Sequence, residues 1–389
     1  MNKTVFALSF LFCLLFPVGV LGQNFPDAPP FNAWINTAED VFLLPDYEHR
    51  GESIALLRFG DQVRVVECQP SCNARGAWMK LEPYGIVRSF NLSVGQRPSQ
   101  AEFEASYPMN PNYVWGRAIR ATEARDVPDP NGAVCERIGR GDELLFRRGT
   151  SPLFLERSNN CYVPVRDIEL FQPSTFSGWS EPPDHFGFII KDTLVTHEDG
   201  TTTALTRYTR LPAVTESRSL VRVAGGTVPS VDMRVGSLRA RPSGVPANVR
   251  WVHVDLATQI LTAYNGDNLV FATLVSTGRR SGSTRTGTFQ VRRKITYTQM
   301  RGGGRRPYSV EGVPWVLYFD DAIALHGSYW HNNYGRVMSH GCVNLSVTDA
   351  RWIFDFHPVS VPRGWRSIHP ISRANFLSQP NANLWVVVE

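Results

Sequence analysis

Apolar and polar residues alternate along most of this chain. Gln62-Val63-Arg64-Val65, Tyr162-Val163-Pro164-Val165 and Trp251-Val252-His253-Val254-Asp255 place an apolar side chain at every second position. That period predicts half-buried strands, bounded here by Gly, Pro, Asn and Asp. Leu261 to Tyr264, Val270 to Ser276, Thr288 to Arg292 and Trp315 to Phe319 are further strands. One helix is signalled. Ser346 and Asp349 form a Ser-x-x-Asp capping pattern, with Val347, Ala350, Ile353 and Phe354 on one face. The pattern predicts a mainly β chain with a short helix near its end. A different pattern opens the chain: Lys3, then an apolar stretch from Val5 to Leu21, then Gly22. A charged start, a short apolar run and a permissive junction predict a secretory leader at 1–22 that is cleaved, with no membrane span after its removal.

Two stretches repeat. Phe59-Gly60-Asp61 precedes an alternating strand, then Trp78, then Ile86 to Leu92; Arg140-Gly141-Asp142 precedes Glu143 to Phe146, then Tyr162 to Leu170. A Gly-Asp turn and a closing strand at similar spacing are the pattern of small antiparallel barrels. These stretches, 33–95 and 112–172, resemble bacterial Src-homology-3-like modules. A third, more degenerate copy or linker is expected at 184–240. Pro-rich joints at Pro173, at Pro182-Pro183 and at Pro242 to Pro246 set these units apart from the C-terminal part of the chain.

The composition adds three limits. The 389 residues exceed one ordinary core and imply several domains. The net charge of +5 is mild; it suits an anionic surface without marking a nucleic-acid binder. Of six cysteines, Cys13 lies in the leader, which leaves five. Cys68, Cys72, Cys135 and Cys161 are disulfide candidates, most simply as neighbours in each repeat, although other pairings are open. Cys342 is left over, between Gly341 and Val343, with His340 two positions before it.

A lone thiol in an oxidising compartment points to a nucleophile, which needs a base and donors for an oxyanion. His326, sixteen residues before Cys342, is the candidate base. Gly341 lets backbone N–H groups of His340, Gly341 and Cys342 converge. A metal site at His326, His331, His340 and Cys342 lacks ligand spacing, so neither metal nor cofactor is expected.

The run from His326-Gly327 through Ser339-His340-Gly341-Cys342-Val343-Asn344 resembles the signature of the L,D-transpeptidase family, the YkuD-type catalytic domain. Val275 to Gly278, Thr286 to Phe289, Val313 to Phe319 and Trp352 to Trp365 resemble other landmarks of that family. The resemblance implies a β-sandwich-like catalytic domain at 249–368, followed by a C-terminal extension at 369–389. It implies that Cys342 attacks a peptidoglycan stem tetrapeptide, expels D-alanine and holds a thioester. His326 would be the base, oriented by a carbonyl near Gly327. His340, Gly341 and Cys342 would supply oxyanion donors, and Ser339 and Asn344 would hold the turn. Tyr318 and Trp330 would wall the substrate groove, and Arg336 would meet a stem carboxylate. Carbapenems would acylate the thiol. The setting would be the periplasm or cell wall of a bacterium. Arg285 departs from the family, which usually has proline before Thr-Gly.

From Arg279 to Arg306 there are nine Lys or Arg and no acid. A mobile basic flap near the cleft is expected there, with Arg301, Arg305 and Arg306 facing the anionic wall. Secretion and a shortage of interleaved aromatics argue against nucleic acid. Three functions stay open: transfer to an acceptor amine; hydrolysis of the same thioester by an L,D-carboxypeptidase or a hydrolase that detaches wall proteins; and non-catalytic wall binding by the barrels.

Overall fold

The structure is a computed structural model that describes residues 24–37, 41–44, 53–96, 113–147, 151–157, 159–302, 308–370 and 382–389. The leader at 1–22, and Gly303, Gly304, Arg305 and Arg306 of the basic stretch, lie outside the described residues. The described chain is mainly β with one α-helix, Val347–Phe356. No helix among the described residues is long and apolar enough to cross a membrane.

Three β-units precede the last one. The first is a five-stranded antiparallel sheet in the order Ile86–Arg88, Trp78–Glu82, Gln62–Gln69, Phe31–Ile35, Leu92–Ser93. The second runs from Tyr113–Ala118 to Ile168–Leu170. The third, expected as a degenerate copy, is a seven-stranded sheet between His185 and Ser237, with its own core of Ile189, Val195, Ala213, Val221, Val223, Val228 and Met233. All three close in the same way. A strand ends in a 3₁₀ turn and the chain leaves as another strand, at Ser89–Asn91, Val165–Asp167 and Ser230–Asp232. The Gly-Asp turns of the first two units also match. Gly60 and Gly141 have φ of 81° and 94°, a region open to glycine. Asp61 and Asp142 each accept the N–H three residues earlier, from Arg58 and Gly139. Disulfides Cys68–Cys72 and Cys135–Cys161 join neighbours within each repeat, and Cys342 is free.

The last unit packs two sheets face to face. One has the order Trp179–Ser180, Asn268–Leu274, Ile260–Asn265, Arg250–Asp255, Leu384–Val388, Gly287–Gln290. The other is built on the long hairpin Arg293–Gly302 and Tyr308–Asp320, extended by Ile323–Gly327 and Val343–Leu345. Val252, Val254, Leu261 and Phe271 meet Trp315, Leu317, Phe319, Leu325, Val343 and Leu345 between them, and the helix adds Ala350, Ile353 and Phe354. The Ser346 hydroxyl accepts Asp349 N–H and caps that helix.

Two expectations are corrected. The stretch expected as a C-terminal extension at 369–389 ends in a strand that returns into the first of these two sheets. Leu384–Val388 pairs in parallel with Arg250–Asp255, Val252 opposite Val386, and antiparallel with Gly287–Gln290. Its apolar run is buried because it lies inside the sheet. The Pro-rich joints do not hold the small units apart either. The first unit packs Ile54, Ala55 and Leu57 with Trp365 and Ile368, and Asp61 pairs with buried Arg366. The second unit pairs Glu143 with Val310 as neighbouring strands. The third puts Phe186 and Phe188 against Ile260, Leu274 and Tyr334.

Lys294 lies at the sandwich edge, its Nζ donating to Val359 O at 2.8 Å over the Phe354 ring. Burial lowers its ammonium from 10.5 to about 7. The unfolded chain therefore binds this proton more tightly. The stability contributed by the neutral amine is present above the unfolded value and is lost as pH falls through about 7. Lys294→Met is expected to raise Tm at pH 7, with the gap closing towards pH 10. Thermal melts of both chains across that range check it.

Candidate active site

The site starts from strand pairing. Ile323–Gly327 and Val343–Leu345 run parallel, with His326 opposite Asn344. Side chains two apart in a strand share a face, so Cys342 lies on the face of Asn344 and His326. All three open into one cavity of about 420 Å³, which Arg279, Trp330, His331, Met338, Ser339 and His340 also line.

His326 is 2% exposed. Its Nδ1 lies 3.0 Å from Gly327 O. A carbonyl only accepts, so Nδ1 carries the proton and Nε2 the lone pair. Burial lowers the imidazole to about 4, against the opposing effect of that hydrogen bond. Burial likewise pushes the Cys342 thiol up to about 11. Burial disfavours the charged form of each group, which favours a neutral thiol beside a neutral imidazole over a preformed ion pair. The thiol lies 3.6 Å from Ala322 O.

The turn before Cys342 is tightly determined. Ser339 Oγ accepts Gly341 N–H at 3.0 Å and donates to Cys342 O at 2.5 Å. Thr284 Oγ1 donates to Gly341 O at 2.7 Å and accepts Gly278 N–H at 2.9 Å. This corrects one expectation: Gly341 N–H is engaged by Ser339 and does not face the cavity as a donor. His340 N–H and Cys342 N–H have no acceptor among the described residues. A Cβ on Gly341 would lie 2.6 Å from Ser283 O, a backbone atom that cannot yield alone. Gly341→Ala is expected to displace the turn and cut turnover about a hundredfold, on the scale of one lost oxyanion donor. Steady-state kinetics with a circular-dichroism control check it.

His331, to which the sequence assigned no role, belongs to the site. Its Nδ1 lies 3.2 Å from Asn333 N–H and its Nε2 lies 3.0 Å from Asn344 Nδ2; both neighbours are N–H donors, and a neutral imidazole accepts from only one of them. Burial, then His326 and Arg279, lowers it to about 4. Asn344 therefore braces His331 as well as the turn, where its N–H and C=O pair with Ser276.

Trp330 lines the cavity and packs 5.7 Å from the His326 ring. Tyr318 does not line it. It lies on the same face as Val316 and Ala324, packed near Cys342 and under Arg293, opposite the face on which Leu317 and Phe319 enter the sandwich core. Arg336 is exposed and outside the cavity. Its turn folds towards the third unit instead, with Gly335 O accepting from Arg234. Gly327 allows close packing: a Cβ there would sit 2.9 Å from Pro314. Arg285 forms a two-point ion pair with Asp320 and reaches Asp321. That pair ties its loop to the end of the long hairpin where the family has proline.

The basic stretch expected as a mobile flap is a loop from Arg279 to Thr286 and strands at Gly287–Gln290 and Arg293–Gly302. Arg293–Gly302 is a strand with a register shift between Thr298 and Met300, and its partner carries Glu311, which buried Arg157 of the second unit holds. Met300, Tyr308, Ser309 and Val310 of this hairpin line the cavity, and Tyr308 stacks on His340 at 4.9 Å. The second unit supplies Arg117, Gly141 and Glu143 to the lining. Nothing in the local pattern marks those three as site residues, because only docking brings them there.

A family model for the YkuD L,D-transpeptidase catalytic domain matches residues 249–364. Those residues are the last unit described above without its edge strand Trp179–Ser180 and its final strand, Leu384–Val388. Among solved structures, the chain is similar to a C442S mutant of the Enterococcus faecium L,D-transpeptidase at 21% identity, over 37% of this chain and 50% of that one, with a TM-score of 0.28. It therefore spans about half the length of that protein. The Mycobacterium smegmatis L,D-transpeptidase matches at 16% identity, over 57% and 89%, with a TM-score of 0.28. The E. faecium catalytic domain acylated by ertapenem matches at 22% identity, over 32% and 98%, with a TM-score of 0.26. No curated protein matches the chain.

Proposed function

We propose that this chain is a secreted, peptidoglycan-modifying L,D-transpeptidase with Cys342 as nucleophile and His326 as base. The observation that carries this reading is the placement of His326 and Cys342 on one face of paired strands, opening into one cavity. His326 Nε2 takes the thiol proton as Sγ attacks the carbonyl that joins an L-centre to the terminal D-alanine. Neutral partners suit this: charge appears only as the bond forms, and the N–H groups of His340 and Cys342 are then available to the oxyanion. Collapse breaks the C–N bond. The leaving amine takes the proton from His326, and a thioester remains. An acceptor amine gives its proton to His326, attacks the thioester and releases Cys342 as the thiol.

Two disulfides beside a free Cys342 support work outside the cytosol, in the periplasm or cell wall. The small units, proposed as Src-homology-3-like modules at 33–95 and 112–172 with a degenerate copy or linker at 184–240, would hold the catalytic domain to its substrate. Incubating the full chain with a disaccharide tetrapeptide and weighing the products tests the reaction. Cross-linked dimers with released D-alanine are expected. Tripeptide alone would mean that water resolves the thioester, and no product would overturn the reading.

A further inference from the structure

The cavity that holds Cys342 is completed by another β-unit. Arg117 comes from strand Tyr113–Ala118 and Glu143 from strand Glu143–Arg147, both in the second unit. The two residues face each other across paired strands, and Glu143 lies beside Val310 of the active-site hairpin. Glu143 is the only carboxylate lining the cavity among the described residues. Its side chain is 12% exposed and that of Arg117 is 38%.

The pair is incompletely satisfied. Arg117 Nε and Nη2 both donate to the same oxygen, Glu143 Oε1, at 3.3 and 2.6 Å. Nη1 of Arg117 and Oε2 of Glu143 make no hydrogen bond among the described residues. The guanidinium is held in place by the Phe171 ring, 5.0 Å away. A fixed cation with a spare donor therefore adjoins a fixed anion with a spare acceptor inside the reaction cavity. A group with the complementary arrangement carries a carboxylate and an ammonium on one carbon.

We propose that Arg117 and Glu143 form a subsite for an amino-acid zwitterion at the end of a substrate side chain, Arg117 taking the carboxylate and Glu143 the ammonium. The site rests on the peptidoglycan reading above and makes the second unit part of substrate recognition. A side chain ending in ammonium alone keeps the Glu143 contact and loses the Arg117 one. A charge-assisted hydrogen bond of this kind is worth about tenfold to a hundredfold in binding.

The test uses the full chain carrying Cys342→Ala and two stem tetrapeptides: one whose third side chain ends in the zwitterion, and one identical but lacking that carboxylate. Calorimetry is expected to show the zwitterionic peptide binding at least about tenfold tighter. Adding Arg117→Met should remove the preference. Arg117→Lys, which keeps the charge, should retain part of it, and Glu143→Gln should weaken both peptides. No preference, or a preference that survives Arg117→Met, would overturn the subsite. D-alanine release by the unsubstituted chain is measured alongside. Turnover without zwitterion preference defeats the subsite alone; zwitterion preference without turnover defeats the transpeptidase reading alone.

Discussion

Cys342→Ala is expected to abolish D-alanine release, a loss of roughly four orders of magnitude or more. A carbapenem should form one covalent adduct on the reduced, unsubstituted chain and none on this variant, as intact mass will show. An adduct on Cys342→Ala would place the nucleophile elsewhere. His326→Gln should slow acylation nearly as much, because the neutral thiol then has no base. The pH profile distinguishes a neutral resting pair from a preformed ion pair. With imidazole at about 4 and thiol at about 11, both lie far outside neutrality. The acylation rate should be flat around pH 6.5 and fall only as pH drops through about 4, where His326 becomes protonated. An inflection near 6.5, the ordinary histidine value, would show that the base is solvated in the working enzyme. The same measurement on His331→Asn separates the two histidines. If His331 only orients Asn344 and the turn, the rate drops and the profile keeps its shape.

Arg157→Ala should be the most damaging substitution outside the catalytic pair. Arg157 is 3% exposed and lies between Glu136 of its own unit and Glu311 of the active-site hairpin, and it also donates to Leu145 O. Removing it strands two carboxylates in a poorly solvated junction, which costs about 3–5 kcal/mol. Scanning calorimetry should show a lower and broader transition as the second unit separates from the catalytic one. KM should rise as well, because Tyr308 and Val310 on the same hairpin line the cavity. The triple change Arg157→Met, Glu136→Gln, Glu311→Gln removes the stranded charge and should recover much of the Tm. A melt unchanged by Arg157→Ala would show that the two units do not depend on this junction.

Cys342, His326 and the helix cap were legible because their signals are local. Ser339, Gly341 and Asn344 lie within a few residues of the thiol, and a turn's hydrogen bonds depend on near neighbours. Both disulfides are the nearest-neighbour pairings. What local reading missed is also explicable. Alternation marks His253 and His331 alike as strand or loop histidines. Only the fold separates His253, paired with Glu389 away from the cavity, from His331, which meets Asn344 inside it. Arg336 is close to the thiol in sequence, and that closeness does not carry into the cavity. The arginines there are Arg279, from a loop ahead of the hairpin, and Arg117, more than two hundred residues before Cys342.

By itself, then, the sequence determined the strand-rich character, the repeated turns, the oxidised cysteines and the candidate nucleophile. Each rests on side-chain period, glycine freedom or parity, which act within a few residues. The tertiary structure decided three things. It placed Leu384–Val388 inside the catalytic sheet and clamped the basic hairpin through Glu311. It also brought Arg117 and Glu143 of a separate unit into the cavity that holds Cys342. Those outcomes depend on which buried faces and charges find each other across long stretches of chain, and no local pattern carries that information.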